Sequence, residues 1–480
     1  MILADWLQTP RVRRTLAVSA VVLATGGLVL FRAPGSAIAR PQTTHVTSGT
    51  ESSFSGPGLH GSLALSHGAV LAGGDRDVYA EVRLTADAAV HSEDRAPLAL
   101  AIVLDTSGSM YGDKIDQARH AVLELMRDMR DDDQIAVIRY STDASVVQPL
   151  ARLGDVRDSL RTRVNQIEAD GGTAIPLGMR AGMKALAEAS RGRVRRVVLV
   201  SDGLDSSRVE SEHLAHDSFE HGVIVSSLGI GLDFDEAYMG GVSRSGHGNF
   251  AFVKDGASLV AFLQRELHET ASTTIEGAVV QLKLPHGLHF VSATGADARL
   301  VDEDSMELRF GSLFSKDERR AIVHLTARLD AGESVQLGAT ADWTQVVPSS
   351  GSPFVVGHVD VDALALRGAV DSKSVDDSRD GTVLANATSV IASERQIEAA
   401  DAYAHGDTAR AQALIDKNML DLSAAASVAP PIAATALQKQ WQAYGNTKNS
   451  FHAAPSSIAG KVAAKAAYQD ENANLSRAAY

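Results

Sequence analysis

The sequence predicts a doubly wound, mostly parallel α/β domain, flanked by a β-sandwich and followed by a C-terminal α-helical region. Three observations carry this. Between residues 96 and 270, continuous apolar runs alternate with stretches of helical periodicity, the pattern of strands buried on both faces and crossed over by helices. On either side of that span apolar and polar residues alternate with a period of two, as in half-buried strands of a sandwich. Beyond residue 386 the chain is Ala-rich and reads as helices. A length of 480 residues agrees, since about 150 residues per domain suggests roughly three.

The elements follow in order. Arg11, Arg13 and Arg14 precede an apolar run at 15–31, and Ala37-Ile38-Ala39 follows it. A basic start, an apolar middle and a small-residue site describe an export signal, cleaved after Ala39 or kept as a membrane anchor; residues 1–40 are assigned to it. Residues 41–60, rich in Ser, Thr and Gly, read as a linker. Residues 61–95 hold strands such as Val78-Tyr79-Ala80-Glu81-Val82-Arg83-Leu84.

The α/β domain, 96–270, opens with the apolar run 98–104. A helix follows, with Ile115, Ala118, Val122, Leu125 and Met126 on one face. Further strands are expected at 135–140, 197–200, 223–228 and 250–253, with helices between them and a last helix at 259–267. Residues 271–366 return to strand alternation. The sequence leaves open whether the strands before Leu98 complete this same sandwich. Residues 367–386 read as a second linker and 387–480 as a helical tail, with Gly406-Asp407 as a helix break.

Composition narrows the function. Lys plus Arg is 45 and Asp plus Glu is 59, a formal net charge of −14. This disfavours nonspecific nucleic-acid binding, which needs clustered cations. Cysteine is absent, which excludes disulfides, thiolate metal sites and a cysteine nucleophile.

Chemistry concentrates where strands end. The run 98–104 leads into Asp105-Thr106-Ser107-Gly108-Ser109-Met110, and ligands of doubly wound sheets bind at the carboxyl ends of strands. Two hydroxyls and a carboxylate form a hard oxygen set suited to Mg²⁺. Gly171-Gly172-Thr173 stands just before a predicted helix and offers another hydroxyl. Ser201-Asp202-Gly203 ends a second apolar strand with a second carboxylate. Asp105, Ser107, Ser109, Thr173 and Asp202 are therefore expected to converge on one cation.

This D-x-S-x-S, Thr and Asp set resembles the metal-ion-dependent adhesion site of von Willebrand factor type A domains. The resemblance spans roughly residues 96–270, and every ligand position of the motif is filled. It implies direct ligation by Ser107, Ser109 and Thr173, with Asp105 and Asp202 acting mainly through water, and an acidic side chain of a partner completing the coordination. Keeping carboxylates off the metal leaves it more positive, which favours an incoming Asp or Glu. The wider architecture is more loosely similar to secreted bacterial proteins of inter-alpha-trypsin-inhibitor-like type.

Other features have plainer readings. Asp131-Asp132-Asp133 reads as a solvated turn, and His213, His216 and His221 as surface residues lacking zinc spacing. Asp233 and Asp235 read as a loop or helix start, and Arg191, Arg193, Arg195 and Arg196 as a solvated edge. No nucleophilic triad or P-loop occurs.

The expectation is a non-catalytic, divalent-cation-dependent protein-binding module acting outside the cytoplasm. Its cofactor would be Mg²⁺, with Mn²⁺ or Ca²⁺ as alternatives, and its partner a protein presenting Asp or Glu. It would touch no nucleic acid, and a membrane only through its N-terminal segment. A scaffold of a cell-envelope complex, binding through the helical tail, is the alternative; a hydrolase ranks third.

Overall fold

The structure is a computed structural model that describes residues 46–47, 49–89, 95, 97–190, 192–202, 205–347 and 354–477. The expected export segment lies outside these residues. Strands β1 (Val46–Thr47), β2 (Glu51–Gly56), β3 (Leu59–Leu65), β4 (Ala69–Leu71) and β5 (Arg76–Ala86) come first. The α/β unit then carries strands β6 (Leu98–Asp105), β7 (Gln134–Tyr140), β8 (Ala144–Arg152), β9 (Val194–Ser201), β10 (Val223–Ile230) and β11 (His247–Val253). Its helices are α1 (Asp113–Asp128), α2 (Leu153–Asn165), α3 (Ile175–Ala187), α4 (Arg208–Glu220), α5 (Glu236–Ser245) and α6 (Gly256–Ala271).

The six strands form one sheet in the order β11-β10-β9-β6-β7-β8. All neighbours are parallel except β7 and β8, which form an antiparallel edge. Strand β6 is buried along its whole length, and its period of two separates two cores. Leu98, Leu100, Ile102 and Leu104 pack with α1, α2 and α6. Ala99, Ala101 and Val103 pack with α3 and α5. The second face is built from small residues because α3 lies close. A Cβ on Gly178 would meet the Tyr140 ring at 2.5 Å, and one on Gly182 would meet Val103 at 2.6 Å.

Strands β12 (Thr273–Lys283), β13 (Leu288–Thr294), β14 (Asp297–Asp302), β15 (Ser305–Phe314), β16 (Glu318–Ala327), β17 (Ser334–Val346) and β18 (Phe354–Ala369) follow. One sheet runs β1-β18-β17-β12-β15-β14, with β4 beside β18, and the other runs β13-β16-β5-β3-β2. Because β5 pairs with β16, the α/β unit is inserted into the sandwich, between β5 and β12. The two sheets share one apolar core that includes Leu63, Val82, Val280, Leu308, Val323 and Leu364.

The tail comprises α7 (Ser372–Asp377), α8 (Gly381–Ala404), α9 (Thr408–Val428), α10 (Pro431–Ser450) and α11 (Ile458–Arg477). Helix α11 lies on the α/β unit. Tyr468 packs where a Cβ on Gly240 would stand, and Lys465, buried, donates to the Phe234 carbonyl at 2.8 Å and to Glu236 at 2.6 Å. Helix α8 reaches the sandwich, where Asn386 donates to Glu81 at 2.7 Å. Among the described residues no helix is long and apolar enough to cross a membrane.

Four sequence expectations need correction. The segment expected as a linker at 41–60 contains β2 and the start of β3: Ser52 and Phe54 turn inward while alternate serines face solvent, so a polar composition hides a strand. The second expected linker contains the end of β18, all of α7 and the start of α8; Asp371 and Asp380 cap the two helices through their side chains. Asp133 is not a solvated turn residue. It is buried and holds the Arg95 guanidinium on both oxygens, while accepting from the Arg130 amide at 2.8 Å. Arg196 is likewise buried, paired with Glu266 at 2.5 Å.

Candidate metal centre

Chain order makes the crevice. From β6 the chain moves to β7 on one side and later returns to β9 on the other, so the carboxyl ends of β6 and β9 flank the point where strand order reverses, where ligands of such sheets bind. Asp105 ends β6, and Asp202 directly follows β9.

The turn after β6 is fixed by Asp105 itself. Its Oδ1 accepts the Ser107 amide at 2.8 Å, and its Oδ2 accepts the Ser201 hydroxyl at 2.6 Å. Both oxygens are thus engaged inside the protein, and Asp105 is fully buried. Burial pushes its carboxyl above the usual range, while the Ser201 and Ser107 hydrogen bonds pull it back. With the turn held, the Ser107 and Ser109 hydroxyls lie 3.0 Å apart. Ser109 donates to Asp202 Oδ1 at 2.8 Å.

The loop before α3 sits on this turn. The Gly108 amide donates to the Gly171 carbonyl at 3.0 Å, and the Asp170 amide donates to the Thr106 carbonyl at 2.7 Å. Gly171 has φ +86°, a conformation that favours glycine. Thr173 follows, half-buried, with no hydrogen bond to its hydroxyl among the described residues.

Ser107, Ser109 and Asp202 thus form one hydrogen-bonded row, Asp105 stands behind it, and the Thr173 loop is docked beside it through Gly171. This donor set fits a hard divalent cation. It is all oxygen, and the Ser109 proton is committed to Asp202, which leaves lone pairs for a cation. Asp105 has both oxygens in use, which suits support rather than direct ligation. Among the described residues no three His, Asp or Glu side chains converge as a metal cage.

Three participants were missed in the sequence. Lys114, on the first turn of α1, donates its ammonium to Asp202 Oδ2. Ser201 holds Asp105. Asp205 accepts the Ile175 amide and the Ser207 amide, both at 2.7 Å, tying the loop after β9 to the start of α3. Ser201 and Asp205 lie within three residues of Asp202, and Lys114 lies one turn beyond the serine motif, so proximity was the available signal. Of the other candidates, Asp235 caps α5 by accepting the Tyr238 amide at 3.0 Å, and Asp233 pairs with Lys461 of α11 at 2.7 Å. A wide cleft of about 760 Å³ lies elsewhere, between β11, α11 and the sandwich, lined by Arg244, His247 and Asn472 among others.

Residues 99–265 match the family model described as von Willebrand factor type A domain. The chain is 24% identical over 263 residues to an uncharacterized protein of Synechocystis sp., covering 51% of this chain and 61% of that protein. It is 28% identical over 170 residues to inter-alpha-trypsin inhibitor heavy chain H2 of Mus musculus, covering 32% of this chain and 18% of that one. The matches therefore span less than two thirds of either relative. A solved structure of a von Willebrand factor type A protein from Catenulispora acidiphila superposes with a TM-score of 0.65 at 16% identity, covering 91% of this chain and 99% of the other. The ArnB paralog VWA2 from Sulfolobus acidocaldarius gives 0.57 at 14% identity, with 88% and 99% covered. These two share the fold.

Proposed function

Because the chain carries a von Willebrand factor type A domain, we propose that it is a non-catalytic binding module that grips a protein partner through a divalent cation, outside the cytoplasm. Ser107, Ser109 and Thr173 would hold the ion, with Asp105 and Asp202 supplying charge from behind; the expected ion is Mg²⁺, with Mn²⁺ or Ca²⁺ as alternatives. When bound, the ion supplies an open position for an Asp or Glu of the partner. The observation that carries this reading is the row Ser107–Ser109–Asp202 at the strand-order reversal, backed by a carboxylate whose own oxygens are taken. Export rests on the basic and apolar pattern of residues 1–40.

The test is calorimetric titration of the full chain with MgCl₂, alongside Ser107→Ala and Ser109→Ala, followed by pull-down from cell-envelope extract with Mg²⁺ or EDTA. Saturable Mg²⁺ binding lost in both variants, with EDTA-sensitive capture, is expected. Equal titration of wild type and both variants would reject the assignment.

A second reading is favoured by the tail surface. Leu420, Val428, Ile432 and Trp441 are exposed on α9 and α10, which suits a scaffold contact. Capture that survives EDTA but falls with Ile432→Asp would support it.

A further inference from the structure

Asp202 is shared. Its carboxylate is fully buried, with one oxygen held by Ser109 and the other by the ammonium of Lys114. The Lys114 side chain is about one-third exposed at 31%, so it reaches inward from the rim. Its path is kept clear by Gly231 at the end of β10. That residue has φ +81°, and a Cβ there would stand 3.3 Å from Lys114 Cε. The stem of Lys114 therefore runs through a lane between α1 and the turn after β10, and its positive head ends on the carboxylate beside the two serines.

We propose that Lys114 sets the divalent-cation affinity of this centre, acting as a tethered counter-ion that competes with an incoming ion for the charge of Asp202. The inference rests on the metal reading above and adds its control. A monovalent ion gains nothing by replacing one positive charge with another. A divalent ion gains a second charge against the carboxylate and also takes the serine hydroxyls, so the site discriminates by charge. That competition moves binding to higher ion concentration. Asp233 is another carboxylate in the field of Lys114. It is exposed and already paired with Lys461, so it offers the ammonium a weaker place.

The test is calorimetric titration of the full chain with MgCl₂, and thermal unfolding with and without Mg²⁺, for wild type, Lys114→Met, Lys114→Gln and Lys114→Arg. Met and Gln remove the charge, and Gln keeps a donor for Asp202 if Met fails to fold. Both neutral variants should bind Mg²⁺ at least about tenfold more tightly, since removing a like charge near the ion is worth at least that much. They should unfold at lower temperature without Mg²⁺ and gain a larger stabilisation from it than wild type does. Lys114→Arg should keep the wild-type affinity. Unchanged or weaker Mg²⁺ binding in a folded neutral variant, while wild type binds, overturns this inference and leaves the metal reading standing. Absence of binding in every protein removes both.

Discussion

The serines at 107 and 109 have little to offer until Asp105 fixes the turn that aims them. Its two hydrogen bonds, from the Ser107 amide and the Ser201 hydroxyl, show that a buried acid at a strand end can act by shape and charge without touching a ligand. Asp133 makes the same point at the opposite end of the sheet, where it joins Arg95 to the amides of Arg130 and Leu98. Removing one member of a buried pair strands the other charge. Asp133→Ala should therefore lower stability by about 3 kcal/mol, seen as a lower midpoint in urea, with Mg²⁺ titration unchanged. At this scale much was legible: the three site segments stand out because each couples an apolar strand or tight loop to oxygen side chains. Lys114 was not, because a lysine opening an amphipathic helix looks like solvated surface, and its partner lies 88 residues away. Asp133 was misread for a related reason: three consecutive acids look like a turn, and Arg95, which buries the third, is 38 residues upstream.

Among elements, β12 carries the clearest solution consequence. Glu276 lies opposite Thr344 of β17 and faces a cleft of about 390 Å³ lined also by Arg193, Arg195 and Gly222 from the base of the α/β unit. Burial pushes its carboxyl up to about 7, opposed by Arg195. A group raised on folding contributes stability that is whole below its unfolded value and is lost as pH rises to the folded one. Stability should thus fall between about pH 4.5 and 7, by about 1–2 kcal/mol after allowance for partial exposure. Glu276→Gln should flatten that slope in thermal unfolding followed across pH; an identical slope would refute the assignment. Strands and helices of the α/β unit were legible because β6 is apolar without interruption and α1 repeats its apolar residues with helical spacing. The two segments taken for linkers were not. In β2 only Phe54 is a large apolar residue, and α7 and α8 begin on aspartate caps that resemble loop composition.

At the scale of the molecule, the tail is part of the core. Phe250, Tyr238 and Met239 of the α/β unit share one apolar cluster with Ala464, Ala467 and Tyr468 of α11, and Ile322 of the sandwich packs with Ala387 and Val390 of α8. Truncation after Asp371 should therefore expose apolar surface on both neighbours, producing aggregation or a lower unfolding temperature in light scattering and calorimetry, rather than a clean loss of one binding surface. A truncated chain that stays monomeric with an unchanged midpoint would show the contact to be dispensable. The order of sandwich strand, inserted unit and sandwich strand was left open by the sequence because strand pairing is a long-range fact: β5 and β16 meet across more than 230 residues.

That insertion has a mechanical meaning. The chain passes from β5 into the inserted unit at Leu98 and leaves it at Thr273, where the Ser315 amide bonds to the Ser272 carbonyl at 2.8 Å. The eight residues of β6 carry the chain about 25 Å from that base to Asp105. Anything gripped at the far end and pulled away from the sandwich would draw along β6, whose ladders to β7 and β9 run parallel on both sides. Tension of that direction shears two rows of hydrogen bonds together instead of peeling one bond at a time. The strand that presents the site is also braced on both sides against a tug upon it.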